Sequence, residues 1–322
     1  MLIKFIKDVL PSKIVLIFIS GFIFWLPFGF QNITISFDYS APFIKSLFSE
    51  IDPMILYYSG LLIVFLQAVY AVRLNYKFIL LNQRTYIIFL VFVLLSFFAV
   101  IDPNFICIYI AHLLWMPCID LIFSQAENKI NLKYFFNTGL LLGIGALFFY
   151  PVVIMIIFAW IMSFILNTSN IRSLLASVVG FSIIWLFYFY ISVLTKNTEL
   201  FYDFFRNISF SNTLTLPSNP VEITVYLYII LFSIIGIIWT LSSFGKQKII
   251  NRKYYASFLF FISLPVIAIA FYQFIPLIMC YFLILPLTFC TTNYLLSSKS
   301  KWVKEIIFIL FLVSMVVFRV MF

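Results

Sequence analysis

Uncharged, apolar stretches, each about as long as a bilayer is thick, recur along almost the whole chain. A helix that crosses the ~30 Å hydrocarbon core needs about 20 mostly apolar residues, within a range of about 17–25. By that rule the sequence predicts spans near residues 14–30, 54–72, 86–101, 104–123, 174–194, 222–242, 255–272, 274–292 and 304–321. One stretch does not fit the rule. Tyr134 to Asn167 holds 34 residues without a charge, and as a single helix it would run about 51 Å at 1.5 Å per residue. Pro151 sits in its middle, where a helix must kink or break.

Composition enters as a check on this reading. Of 322 residues, 65% are hydrophobic and 10% charged, with 43 Phe and 19 Tyr. A soluble domain carries about 25% charged residues, and a monomer of this size has too little interior to hide so much apolar surface. A cytosolic enzyme, a nucleic-acid binder and a disordered chain are excluded. The expectation is an all-α polytopic bundle in which residues 1–322 form one integral-membrane domain. The bilayer is its first partner.

Positive charge decides how the chain crosses. If 134–167 forms two spans there are about eleven, with the N-terminus cytoplasmic and the C-terminus outside. Lys and Arg then divide 16 inside to four outside (Lys45, Lys196, Arg206 and Arg319). If it forms one span, every later loop changes side and the split falls to 11 against nine. Short cytoplasmic loops are enriched in Lys and Arg, so two spans are expected. The net charge of +9 is therefore a topology signal and implies no nucleic-acid partner. No cleavable leader is evident: the first run follows Lys4, Lys7 and Lys13 but lacks a small-x-small exit.

Two outward loops are long, 31–53 and 195–221, and long loops on a rigid scaffold are where function concentrates. The first contains Asp38, Glu50 and Asp52, together with FIKSLF at 43–48, which is amphipathic and suits a short interfacial helix. The three acids can supply a general base or hold a divalent cation against a phosphate-bearing substrate. No cofactor is evident otherwise. The competing reading is capping. Ile-Asp-Pro occurs at 51–53 and again at 101–103, and Asp at N-cap before Pro at N1 is an ordinary helix start. The second loop carries Lys196, Tyr202 and Arg206 in a strongly aromatic setting. Arg206 and Lys196 suit phosphate recognition, or Arg206 snorkels from an interfacial helix.

Within the spans, His112 and Asp120 lie eight residues apart on one predicted helix, so they roughly share a face. Intramembrane ionisable groups are functional candidates; the alternatives are a hydrogen-bonded interior imidazole and a carboxylate reaching the cytoplasmic interface. Gln67 and Asn137 suit interhelical hydrogen bonds, and Gly139-x-x-x-Gly143 suits close helix packing. The four cysteines and single histidine offer no readable metal site.

The segment 134–194 resembles the central signature of an uncharacterised family of bacterial polytopic inner-membrane proteins. Gly139, Gly143, Leu147, Tyr150, Pro151 and Trp160 carry the resemblance, with Arg-Leu-Asn at 73–75. The family's usual acid before the glycine is Asn137 or Thr138 here. The resemblance implies the bacterial inner membrane and no activity. More loosely, the chain is similar to GT-C glycosyltransferases that use polyprenyl-phosphate sugars. Those enzymes have a cytoplasmic N-terminus, a catalytic acid in the first outer loop and a second long outer loop. The first loop here is short beside that of those enzymes, and no acid pair directly follows the first helix. The leading expectation is such a transferase or polymerase, with Asp38, then Asp52 and Glu50, as acids and Arg206, Lys196 and Tyr202 facing a lipid-linked phosphate. The alternatives are a non-enzymatic subunit of a cell-envelope complex, with other membrane proteins as partners, and a transporter working through His112 and Asp120.

Overall fold

The computed structural model describes residues 40–97, 106–127, 131–196, 198, 201, 220–264, 267, 277–298 and 301–321. Within them every regular element is helical. A short helix, α1 (Pro42–Ser49), precedes α2 (Pro53–Phe78), α3 (Ile87–Phe97) and α4 (Ile106–Glu127). Next come α5 (Leu132–Phe148), a 3-10 turn (Tyr150–Ile154), α6 (Met155–Ile165) and α7 (Ile171–Leu194). After them follow α8 (Pro220–Ser243), α9 (Ile249–Phe261), a 3-10 segment (Leu277–Leu283), α10 (Ile284–Ser297) and α11 (Lys301–Met321). Among the described residues, four helical stretches are long and apolar enough to cross a membrane: Met54–Phe78, Ile106–Ala126, Ile171–Leu194 and Met279–Ser297. Shorter apolar helices cover Ile87–Ser96, Leu132–Phe148, Tyr150–Ile165 and Ile230–Lys246.

The uncharged 34-residue stretch is broken where Pro151 predicts. Helix α5 stops at Phe148, and Phe149 is extended at φ −142° and ψ 96°. Contacts then show that the chain turns back. Tyr150 meets the Trp185 ring at 6.4 Å, whereas Trp160, ten residues on, donates to Ser177 Oγ at 2.8 Å. Rising along α6 therefore means falling along α7, so the two are antiparallel.

The same logic orients α5 against α7. A Cβ on Gly139 would lie 2.0 Å from Ser177 O, and one on Gly143 would lie 3.0 Å from Ile184 Cβ. The two helices run parallel, at a distance that only glycine permits. Helices α2 and α4 are parallel as well: Gly60 faces Tyr109, and Lys77 reaches Asp120. So are α8 and α10, where Gly236 faces Thr291 and Trp239 Nε1 donates to Ser297 Oγ at 2.5 Å. In each case the helix between runs back, and the first and third of three consecutive helices pack directly.

Two ends result, and they differ in charge. Asn251 at the start of α9 donates to Ile79 O and Asn82 Oδ1, both at 3.2 Å, and Tyr254 stacks on Phe123 at 4.3 Å. These contacts, with the helix directions, gather Arg73, Lys77, Arg84, Lys133, Arg172, Lys246, Lys248, Arg252, Lys253 and Lys304 at one end. The opposite end carries Lys45, Glu50, Asp52 and Lys196. Several predicted boundaries move. Helix α2 extends through Arg73 and Lys77 instead of ending near residue 72, closing at a left-handed Ile79 (φ 49°). Helix α9 begins at Ile249, ahead of the expected 255.

Candidate functional site

At the end with few basic residues, the described parts of 31–53 and 195–221 come together. In α1, Ala41 and Ile44 turn inward while Lys45 and Leu47 stay exposed, the amphipathic division that FIKSLF predicts. The helix sits on a small apolar cluster of Leu56, Ile106, Cys107 and Tyr188, and Ala41 N–H donates to Leu147 O at 2.9 Å. Phe201, from the second outward segment, joins this cluster, with its ring 5.5 Å from Tyr188 and 5.0 Å from Phe189. Parts of both loops thus rest on the ends of α2, α4, α5 and α7.

Asp52 serves as the N-cap of α2, its Oδ1 accepting from Met54 N–H at 2.8 Å, with Pro53 opening the helix. The first Ile-Asp-Pro motif is therefore a helix start in fact. Glu50 is exposed at the C-terminus of α1. Lys196 is exposed just past α7, with a left-handed φ of 55°. Asp38, Tyr202 and Arg206 lie outside the described residues, as do Asp102 and the predicted first span. Among the described residues no three His, Cys, Asp or Glu side chains converge as a metal would require.

His112 and Asp120 occupy two separate networks along the α2–α4 seam. Gln67 lies at the centre of the first. Its Nε2 donates to Tyr109 O at 2.6 Å, and its Oε1 accepts from Tyr281 O–H at 2.9 Å. His112 Nδ1 stands 3.1 Å from the same Oε1. Because Gln67 Oε1 only accepts, the network assigns the proton to Nδ1. His112 is fully buried, stacked on Phe92 and met edge-on by Phe282. This is the hydrogen-bonded interior imidazole, and Gln67 makes the interhelical bonds expected of it. Asn137 is half-buried, and its side chain makes no hydrogen bond to a described residue.

Asp120 anchors the second network. Lys77 donates to its Oδ1 at 2.5 Å and to Ser124 Oγ at 2.7 Å, and Tyr70 O–H donates to its Oδ2 at 3.1 Å. The Asp120 side chain is 9% exposed; a buried charge of this kind is stable only when paired and hydrogen-bonded. Sequence reasoning noticed Asp120 but missed Lys77, 43 residues away. Lys77 lies one turn beyond Arg73 at the predicted helix end, which is the one available signal.

A hollow of ≈ 410 Å³ opens on the flank, lined by Tyr150, Pro151, Ile154, Ile157, Trp160 and Val178 among others. Its lining has no ionisable group except Tyr150, so it holds none of the candidate acids or cations.

Helices of this length, packed in parallel first-and-third pairs about an aromatic interior, make the described residues all-helical, with four helices among them long and apolar enough to cross a membrane. Residues 14–321 match the Family of unknown function (DUF6427), and the chain belongs to that family. No curated protein matches the chain. No solved structure matches it either.

Proposed function

We propose that this is a multi-pass protein of the bacterial inner membrane, with about eleven spans, a cytoplasmic N-terminus and the basic end inward. Its working face is then the opposite end, where we place a GT-C-like transferase or polymerase acting on a polyprenyl-phosphate-linked sugar. One observation carries this reading: α1 and Phe201, from the two long outward segments, rest on one apolar cluster at the end with few basic residues. Loops fixed on the ends of rigid helices are where a membrane enzyme can hold a headgroup at the interface. Asp38, with Asp52 and Glu50, supplies the candidate base for an acceptor hydroxyl; Arg206, Lys196 and Tyr202 are the candidate phosphate contacts. A divalent cation fits the same acids.

The test is Asp38→Asn and Asp52→Asn, each assayed for surface glycan in cells lacking the wild-type chain. Asn is as good an N-cap as Asp, so Asp52→Asn preserves the helix start while removing a base. Loss of glycan with normal protein level supports the enzyme, and wild-type glycan from both variants refutes it.

A second reading, a non-enzymatic subunit of an envelope complex, is favoured by α7. Only 11% of its span is buried, against 72% for Ile106–Ala126 in α4, so most of its apolar surface faces lipid or another chain. The third reading, transport through His112 and Asp120, draws no support from their arrangement, which places the two in separate hydrogen-bond networks.

A further inference from the structure

The basic end is built more tightly than a topology signal requires. The turn between α2 and α3 holds two non-glycine residues in the left-handed region, Ile79 at φ 49° and Asn82 at φ 57°. Such conformations persist where surrounding contacts over-determine them, and here they do. Asn75 Nδ2 donates to Gln83 O at 2.9 Å and its Oδ1 accepts from Leu81 N–H at 3.0 Å. From α9, Asn251 donates to Ile79 O and Asn82 Oδ1. The turn is thereby fastened to the first turn of α9.

Cations flank this junction. Arg84 lies over the Tyr76 ring at 5.6 Å and Arg73 over Tyr70 at 5.3 Å. Lys248 is the N-cap of α9, three residues before Asn251. Among the described residues none of Arg73, Arg84 and Lys248 has a carboxylate partner, and all three are exposed. Asp120 nearby is already neutralised by Lys77. Apolar side chains stand exposed at the same end: Ile249 at 75%, Trp302 at 80% and Ile79 at 42%. Cations over aromatic rings at the same end as exposed Ile and Trp match a surface whose solvent is a lipid headgroup layer with acyl chains beneath it. A free phosphate would not account for the apolar component.

We propose that the junction of the α2–α3 turn with the first turn of α9 is a headgroup site for an anionic phospholipid, with Arg84 and Lys248 as its phosphate-binding cations. The site requires that the helices cross a bilayer, but not that the far end be an enzyme or that the basic end face the cytoplasm.

The test uses the full-length protein in a neutral detergent, with retained lipid read by native mass spectrometry. Dioleoyl phosphatidylglycerol and dioleoyl phosphatidylcholine are offered in turn. Phosphatidylglycerol is retained in preference. The double variant Arg84→Gln/Lys248→Gln weakens that retention about 25-fold, from about fivefold per cation. Lys133→Gln/Arg172→Gln removes the same charge from the same end and costs less than about twofold, because neither residue adjoins the junction. Equal losses in the two doubles would reduce the effect to net charge and overturn the site. Equal retention of the two lipids would overturn it as well. Full displacement by millimolar inorganic phosphate would reassign the site to a soluble anion. The single variants and a melting curve for each protein separate lost binding from lost folding.

Discussion

Two parallel helix pairs in this protein solve one packing problem by opposite means. Between α5 and α7 the contact is backbone to backbone: a Cβ on Gly180 would lie 2.2 Å from Phe136 O, and one on Gly139 would lie 2.0 Å from Ser177 O. Between α2 and α4 the contact is made by long polar side chains, Gln67 reaching Tyr109 and Lys77 reaching Asp120. The difference follows from burial. Helix α7 is largely exposed, with few neighbours to hold it, so close approach to one partner must supply its dispersion contacts. Helix α4 is mostly buried, and buried polar bonds there fix register among several apolar alternatives that would otherwise pack equally well. One pair is specified by shape and the other by hydrogen bonding.

The comparison breaks most readily at the glycines. Gly139→Leu and Gly180→Leu are expected to abolish folding, since the obstructing atoms are backbone and cannot rotate away. The alanine variants are expected to cost about 3 kcal/mol or more, at or beyond the upper end of ordinary overpacking. Thermal unfolding in detergent measures both. Gly245→Ala, with no atom within 4 Å of its Cβ position, should leave the melting curve unchanged.

At the polar seam, Asp120→Ala removes the partner of Lys77 and Tyr70 and should cost about 2 kcal/mol, the range for hydrogen bonds to a charged group. A Lys77→Met/Asp120→Leu double variant should recover part of that loss, because a matched apolar pair leaves no charge unpaired. Full additivity of the two single effects would show that the pair does not couple α2 to α4. Gln67→Leu is expected to cost about 1–3 kcal/mol, leaving Tyr281 O–H and His112 Nδ1 without their shared acceptor. Its effect should exceed that of His112→Phe, which removes one bond of the three. The reverse order would move the centre of the network from Gln67 to the imidazole.

The smallest effect sharpens the comparison from outside both seams. Asp52→Ala should cost about 1 kcal/mol and Asp52→Asn almost nothing, as expected for an N-cap. A hydrogen-exchange change confined to the first turn of α2 would confirm that the loss is local.

Much of this arrangement was legible in the sequence. Apolar runs marked most of the helices, Pro151 marked the reversal after α5, Ile-Asp-Pro marked the start of α2, and Gly139-x-x-x-Gly143 marked a close seam. Each is a local signal, carried by residues within a turn or two of one another. Lys77 and Asp120 were unreadable as a pair, and Tyr281, 214 residues from Gln67, was not marked at all. Nothing in an apolar helix records which neighbour it meets or in what register, because lipid and protein interior are equally apolar. The candidate face is read in the same divided way. The acids and aromatics of 31–53 and 195–221 were visible, whereas the convergence of α1 and Phe201 on one cluster was not.

The sequence by itself determined the helical class of the described residues, the apolar character of the long helices and the places where helices begin and break. Backbone groups among such apolar side chains are satisfied most simply within a helix. Only the tertiary structure decided that first and third helices pair in parallel, that Lys77 is the cation paired with Asp120, and that Asn251 ties the α2–α3 turn to the start of α9. Those outcomes depend on side-chain shape and hydrogen-bond geometry between segments far apart in the chain, where periodicity and composition carry no information.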